Sequence, residues 1–428
     1  MKRLRFWIAL MIFIPCLAAL RAHAQEEGGI PDGTIITLRN WQQYRQYMPD
    51  GMQELFKGSY QWKIPPEFQM IVGPTHHYAP PKPYIEDTEK YAHNVGIKDD
   101  AEGRHILTGY VAGMPFPNPT EPMKGWKVLV NLWYAYNPAI YCDAQDWLYF
   151  MDRYHNRSSE SFIEVYRKLD HISDTGFPIT DPRSRGIQFA EYLEVLTPEQ
   201  ARYTAQVEFY YSDFAKEEDL FLFVPALRRS LRLSSAARCS PVIGSDYTQD
   251  EARNTLFNST PARFDAKFLR NQNVLSMSRS NGMVYRNYDN FYPTILMPKP
   301  AVGKWELRPT LVIEVQRIPS QRKGYCYGKK VLWIDAEGYS TDWEDLYDED
   351  MKLWKTAYTS QMARDMPPYG LQLNTGDQFS VMYDLQNSHL SFYNSGGRTN
   401  GECKNYDGLD FTDLTRYSSV AGLSQIMR

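Results

Sequence analysis

Arg228, Arg229, Arg232 and Arg238 follow directly on a continuous apolar run, Leu220-Phe221-Leu222-Phe223-Val224. Guanidinium forks match carboxylate and phosphate groups bidentately. A greasy strand ending in such cations suits an amphiphile with a long tail and an anionic head. Read as one strand over 220–233, alternation puts Arg228 and Arg232 on the face of Leu220, Leu222 and Val224, and Arg229 on the other. The preceding stretch alternates Tyr203, Ala205, Val207, Phe209 and Tyr211 with Thr204, Gln206, Glu208 and Tyr210, the period of a half-buried strand. The candidate ligand-binding set is therefore Phe209, Tyr211, Leu220, Leu222, Val224, Arg228 and Arg232. The competing reading pairs the arginines with the acidic loop of Asp246, Asp250 and Glu251.

Other chemistries have weaker carriers. His76-His77 are adjacent on an extended segment, so their rings point to opposite sides. His93, His105, His155, His171 and His389 are scattered, and neither an i, i+4 pair nor HExxH occurs. A metal is not expected, and no cofactor is called for. Gly244-Ser245-Asp246 lacks the second glycine and the strand-to-helix setting of a serine-hydrolase elbow. Asp99-Asp100 and Glu217-Glu218-Asp219 read as solvated turns. Glu344-Asp345 with Asp348, Glu349 and Asp350 is dense enough to suggest calcium, but it lacks the EF-hand pattern and its glycine.

Cys142, Cys239, Cys326 and Cys403 are too far apart in sequence for a zinc knuckle. Disulfides are expected, and four cysteines allow three connectivities. Cys142–Cys239 with Cys326–Cys403 is favoured here because each join stays within one half of the chain. The compartment follows from the N-terminus. Lys2, Arg3 and Arg5 precede an apolar core at 6–20, and Ala22-His23-Ala24 offers an A-x-A site, so residues 1–24 read as a signal peptide cleaved near Ala24. Cys16 stands in a poor lipoprotein signature, which favours a soluble protein of the bacterial periplasm. The chain carries 47 Lys+Arg against 51 Asp+Glu. Four of the basic residues lie in the leader, so the mature chain has a net charge near −8, which argues against nucleic-acid binding.

The elements that must position these groups change in texture near Ser159. Before it, prolines at 65–66, 74, 80–81 and 83 exclude sheet interior, and helices are expected at 41–47, from Asp50, at 84–93 and at 123–136. Residues 113–119, GMPFPNP, must be extended, because each residue before a proline is driven out of the helical region. After it, strands are expected at 161–169, 187–196, 201–211, 220–233, 264–277, 310–318, 325–335, 341–347, 351–362 and 378–383. Asp410 is placed as the cap of a terminal helix. The fold class is α+β: a proline-rich, partly helical portion (25–158) packed on a large antiparallel sheet (159–428), with 25–428 treated as one domain. A long antiparallel sheet curls, and one face must be covered.

Three segments together resemble a known family. They are GMPFPNP at 113–119; VPALRR at 224–229 with PVIGSD at 241–246 and FNSTPARFD at 257–265; and YGKKVLWID at 327–335, followed by Tyr347-Asp348 and Leu353-Trp354. In order and spacing they resemble domain-of-unknown-function family 1329, Gram-negative periplasmic proteins, and the second is also similar to the LolA/LolB-like outer-membrane lipoprotein-sorting carriers. That resemblance implies a half-open barrel whose helices plug a hydrophobic cavity, and a carrier of lipid or another hydrophobic molecule working with an inner-membrane exporter or an outer-membrane barrel. It supplies no catalytic residues. The four cysteines and the section after Leu373 depart from the family pattern. The expected function is a non-enzymatic periplasmic carrier or chaperone. The alternatives are an accessory subunit docked on an export complex and a periplasmic hydrolase.

Overall fold

The computed structural model describes residues 29–234, 238–253 and 255–426; the leader at 1–24 and its cleavage near Ala24 lie outside the described residues. Its centre is one sheet of fourteen strands, every pairing antiparallel. In chain order these are β1 (Ile140–Met151), β2 (Arg157–Lys168), β3 (Ile187–Thr197), β4 (Ala205–Tyr211), β5 (Asp219–Val224) and β6 (Arg229–Leu233). After a long connection come β7 (Phe264–Ser276), β8 (Glu306–Arg317), β9 (Lys329–Asp335), β10 (Thr341–Tyr347), β11 (Leu353–Gln361), β12 (Gln378–Asp384), β13 (His389–Ser395) and the short β14 (Arg398–Thr399).

The order across the sheet is β6-β5-β4-β3-β2-β1-β13-β12-β11-β10-β9-β8-β7, with β14 also on β1. Two meanders therefore run in opposite directions and join at their first and last strands, β1 and β13. The edges are β6 and β7, and these are consecutive in the chain. The connection between them must cross from one edge of the curved, unclosed sheet to the other, which makes residues 238–263 a strap over one face.

Alternation assigns the two faces. Phe162, Tyr166, Phe189, Tyr210, Ile313, Leu332, Leu346 and Met382 face inward, to the strap and to helix α3. Here α1 is Asp50–Lys57, α2 is Lys82–Tyr91 and α3 is Lys124–Trp133. Trp126, Leu129, Val130 and Trp133 of α3 bury in this inner core, and each large side chain so buried contributes about 2–3 kcal/mol. The helix can lie this close to β7 because position 125 is glycine. A Cβ there would sit 2.4 Å from the backbone nitrogen of Phe268 and 2.5 Å from the carbonyl oxygen of Ala266.

GMPFPNP runs along the same helix, and its backbone has no strand partner. Buried Asn131 supplies one: its Oδ1 accepts from Phe116 N at 2.9 Å and its Nδ2 donates to Phe116 O at 2.7 Å. One side-chain amide thus satisfies both backbone groups between two prolines.

The outer face is covered in two parts. Over β1–β5, Ile163, Val165, Tyr192, Val207, Phe209 and Phe223 pack on a C-terminal cover containing Phe411, Tyr417, Leu423 and Ile426. The expected terminal helix is two single turns, α4 (Leu414–Tyr417) and α5 (Val420–Leu423), with Asp413 rather than Asp410 as the first cap. Over the second meander, Trp343 and Tyr358 stack at 4.7 Å and Tyr60 meets Tyr383 edge-on at 5.9 Å. No helix among the described residues is long and apolar enough to cross a membrane.

On that outer face Gly51 of α1 donates its N–H to Asp345 Oδ2 at 2.9 Å, and Thr356 Oγ1 donates to Asp345 Oδ1 at 2.7 Å. Burial pushes the Asp345 carboxyl up to about 7, more than these two bonds pull it down. The unfolded chain ionises this group near 3.8, whereas the folded chain keeps its proton to about 7. Stability should therefore fall as pH rises between those values, by about 4 kcal/mol at most. Urea unfolding at pH 5 and pH 8 should show this loss in the native protein and a smaller one in Asp345→Asn. Equal slopes in the two proteins would refute the assignment.

Candidate functional site

The strap is held at both ends by buried charge. Arg238 Nη1 donates to Glu208 of β4 at 3.1 Å and to Glu218 at 2.9 Å, while its Nε bonds Asp250. Arg263 Nη1 donates to Glu218 at 3.0 Å. From the second meander, Arg317 Nη2 donates to Asp250 Oδ2 at 3.2 Å, Tyr327 donates to Glu251 Oε2 at 3.1 Å, and Lys330 pairs with Glu251. Asp250 and Glu251 are 0% and 1% exposed. Burial alone would raise the Asp250 pKa, but Arg238, Arg317 and Lys330 outweigh it and hold the carboxyl well below its usual range. The Cys239–Cys326 disulfide adds a covalent tie between the strap and the β8–β9 connection.

Beneath the strap are two neighbouring cavities. The first, about 100 Å3, lies against the middle of the sheet, with Leu148, Phe162, Leu193, Val242 and Leu256 in its walls and Glu164 and Arg253 among its polar lining. The second, about 320 Å3, lies toward the β6 edge, walled by Leu193, Val195, Leu220, Leu222, Leu233 and the strap segment 240–244. Leu193, Val242 and Ile243 belong to both, so the strap tip forms the partition between them. Ile243 also borders a third, more polar recess of about 270 Å3 with Asp152, Glu160, Asp246 and His389; burial pushes the Glu160 carboxyl up to about 7. Ile243 has φ 50°, a left-handed conformation that costs a β-branched residue of order 1–3 kcal/mol and persists only where the surroundings enforce it.

The structure divides the sequence-derived site set. Leu220 and Leu222 line the larger cavity, and Val224 shares their face of β5 by alternation. Phe209 and Tyr211 point the opposite way: Phe209 is in the outer core, and Tyr211 donates its hydroxyl to Asp219. Val207 pairs with Phe221 and Gln206 with Leu222, which fixes this parity.

The arginine reading is corrected. Residues 220–233 form a hairpin, not one strand, turning through Pro225–Leu227 with Arg228 at φ 49°. Arg232 pairs across from Phe221 and Arg229 from Val224. Arg229 thus takes the inner parity and Arg232 the outer, where Arg232 bonds Asp219. Arg228, Arg229 and Arg232 are all exposed. Of the four, Arg238 meets the acidic loop, through Asp250.

Three further expectations change. The disulfides are Cys142–Cys403 and Cys239–Cys326, not joins within sequence halves, because β1 and β13 adjoin and the strap returns to the second meander. Glu218, read as solvated, is buried between Arg238 and Arg263. Glu344 and Asp345 diverge on β10, Glu344 toward Lys330 and Asp345 toward Gly51.

His76 and His77 bond separate acids, Glu306 at 3.2 Å and Glu337 at 2.5 Å. Ser245 Oγ accepts from Tyr247 N at 3.2 Å. Among the described residues, no three His, Cys, Asp or Glu side chains are grouped to hold a metal ion. Sequence reading missed Leu193, Val242, Ile243 and Arg253. The PVIGSD segment was the available signal for the middle two, since two β-branched residues after a proline are unusual in an exposed loop.

No curated protein matches the chain. Among solved structures it is similar to a domain described as outer membrane lipoprotein-sorting from Vibrio parahaemolyticus (17% identity, 68% of this chain and 97% of that one, TM-score 0.45). It is also similar to a DUF1329 protein from Desulfovibrio piger (13%, 67% and 98%, TM-score 0.45) and to a LolA superfamily protein from Nitrosomonas europaea (13%, 61% and 87%, TM-score 0.35). The family described as protein of unknown function, DUF1329, matches residues 35–413, the span that holds the meanders, α3 and the strap, and the chain belongs to that family.

Proposed function

We propose that this protein is a non-enzymatic periplasmic carrier that holds a lipid or other hydrophobic molecule between its strap and the inner face of its sheet. The observation that carries this reading is the pair of neighbouring apolar cavities of about 100 and 320 Å3, which share Leu193, Val242 and Ile243 as walls. A close-packed core leaves few spaces larger than a water molecule, so adjoining apolar spaces of this size behind one segment are the mark of a container. A fatty chain needs few polar contacts there, because apolar burial supplies roughly 5 kcal/mol of gross binding at about 25 cal/mol per Å2. Two disulfides fit an oxidising compartment. An outer-membrane barrel or inner-membrane exporter is the proposed exchange partner.

Organic extraction of the purified protein followed by mass spectrometry should return a reproducible lipid, and a fluorescent fatty probe should bind and be displaced by it. Leu222→Glu places a carboxylate in the larger cavity and should weaken probe binding about tenfold or more while the circular dichroism spectrum is kept. Neither lipid nor probe binding, with capture of a membrane complex instead, would replace the carrier reading by that of a docking subunit.

A further inference from the structure

The cavity nearest the centre of the sheet is lined by a buried cation that meets the Tyr166 hydroxyl but leaves two of its donor nitrogens open. Arg253 lies in the strap with its side chain 3% exposed. Its guanidinium packs over Phe189 at 4.5 Å and Trp133 at 4.8 Å, and its Nε and Nη1 are buried with no hydrogen-bond acceptor. The nearest acid is Glu191, whose Oε1 is 3.8 Å from Nε, beyond hydrogen-bond reach. Burial pushes the Glu191 carboxyl up to about 8, so near neutral pH it is not a full counter-charge. Aromatic faces recover part of the cost of burying a guanidinium, but its unmade hydrogen bonds are costly. The Arg238 side chain, at the start of the same strap, contrasts with it by meeting three carboxylates.

We infer that Arg253 is the head-group site of the carrier and that the ligand is a long-chain amphiphile with an anionic carboxylate or phosphate head. The head takes the open donors of Arg253 in the smaller cavity. The tail passes Leu193 and the strap tip into the larger one, along Leu220, Leu222 and Leu233. This rests on the carrier reading and adds the charge and the polarity of its ligand. It also moves the cationic end from the exposed Arg228–Arg232 hairpin to a buried residue at the opposite end of the cavity.

The test uses the full mature protein with cis-parinaric acid as probe, displaced in turn by palmitate, hexadecyl phosphate, methyl palmitate and inorganic phosphate. Palmitate or hexadecyl phosphate should displace it at concentrations about tenfold or more below those needed for methyl palmitate, and the gap should close in Arg253→Gln. Whichever anion competes better identifies the head. Equal competition by the charged and neutral chains in the native protein overturns the head-group site while leaving the carrier intact. Inorganic phosphate competing as well as hexadecyl phosphate overturns it too, because the site would then be one for free anions. If no chain displaces or binds, the carrier reading itself fails. Should Arg253→Gln not fold, Glu191→Gln serves: removal of the neighbouring carboxyl should preserve or widen the gap, and a closed gap there overturns the inference.

Discussion

Asp250→Ala is expected to lower the unfolding free energy by about 3–5 kcal/mol, the usual cost of removing one partner from a buried ion pair. Asp250 is fully buried and is shared by two guanidiniums, Arg238 from the strap and Arg317 from β8. The two are not affected equally. Arg238 keeps Glu208 and Glu218. Arg317 keeps the rings of Phe264 and Tyr325, each at 4.4 Å, and a 3.4 Å bond to Gln321, but loses its carboxylate. Most of the cost should therefore sit on Arg317. Asp250→Ala with Arg317→Met, which removes the stranded charge, should recover part of the loss, because neighbouring sites of one network do not add. Urea titrations of the three proteins measure this. A single-variant loss below about 1 kcal/mol, or a double variant no better than the single, would mean that the network does not hold the strap.

The same network explains what the sequence could and could not disclose. Strand alternation was legible wherever one face packs on apolar groups and the other on polar ones, as in β4, and most of the sheet followed from it. The turn inside 220–233 was not. Its left-handed position is filled by Arg228 rather than glycine or asparagine, so Pro225 was the only local sign of a turn, and with the strand read through it the parity of every residue beyond was inverted. Glu218 read as solvated because it lies in an acidic connection, Glu217-Glu218-Asp219, and its burial depends on Arg238 and Arg263, 20 and 45 residues away. Neither β1, which lies inside the 25–158 portion expected to be partly helical, nor β13 was expected, although their pairing is what closes the two meanders into one sheet. That pairing joins Leu390 to Met151 and Asn394 to Trp147, and no local pattern specifies such a distant register.

The candidate site was half legible for a related reason. Leu220 and Leu222 belong to a strand and declare themselves by period. Val242, Ile243 and Arg253 belong to the strap, which has no period, and their importance comes from crossing the sheet. Once β6 and β7 are the edges, the chain connecting them must cross one face, here the inner one, and apolar residues on it must either fill the interior or line a space.

Replacing Cys142 and Cys403 by serine is expected to cost about 4–5 kcal/mol, and to do so by loosening the C-terminal cover before the sheet. The two cysteines are 261 residues apart in sequence, and in the chain-entropy account a cross-link over so long a loop constrains the unfolded chain strongly. The native side of the balance points the same way. α4 and α5 are four residues each, far too short to persist without tertiary contacts. The cover therefore depends on burying Phe411, Tyr417 and Leu423 against Val165, Tyr192 and Val207. With the tie to β1 gone, that burial must also repay the ordering of the segment. Limited proteolysis of the double-serine protein should cut first within residues 404–426, under conditions that leave the strap intact, because Cys239–Cys326 and the Asp250 network remain. Cutting first in the strap would reverse this order of stabilities, and an unchanged urea midpoint would show that apolar packing alone secures the cover.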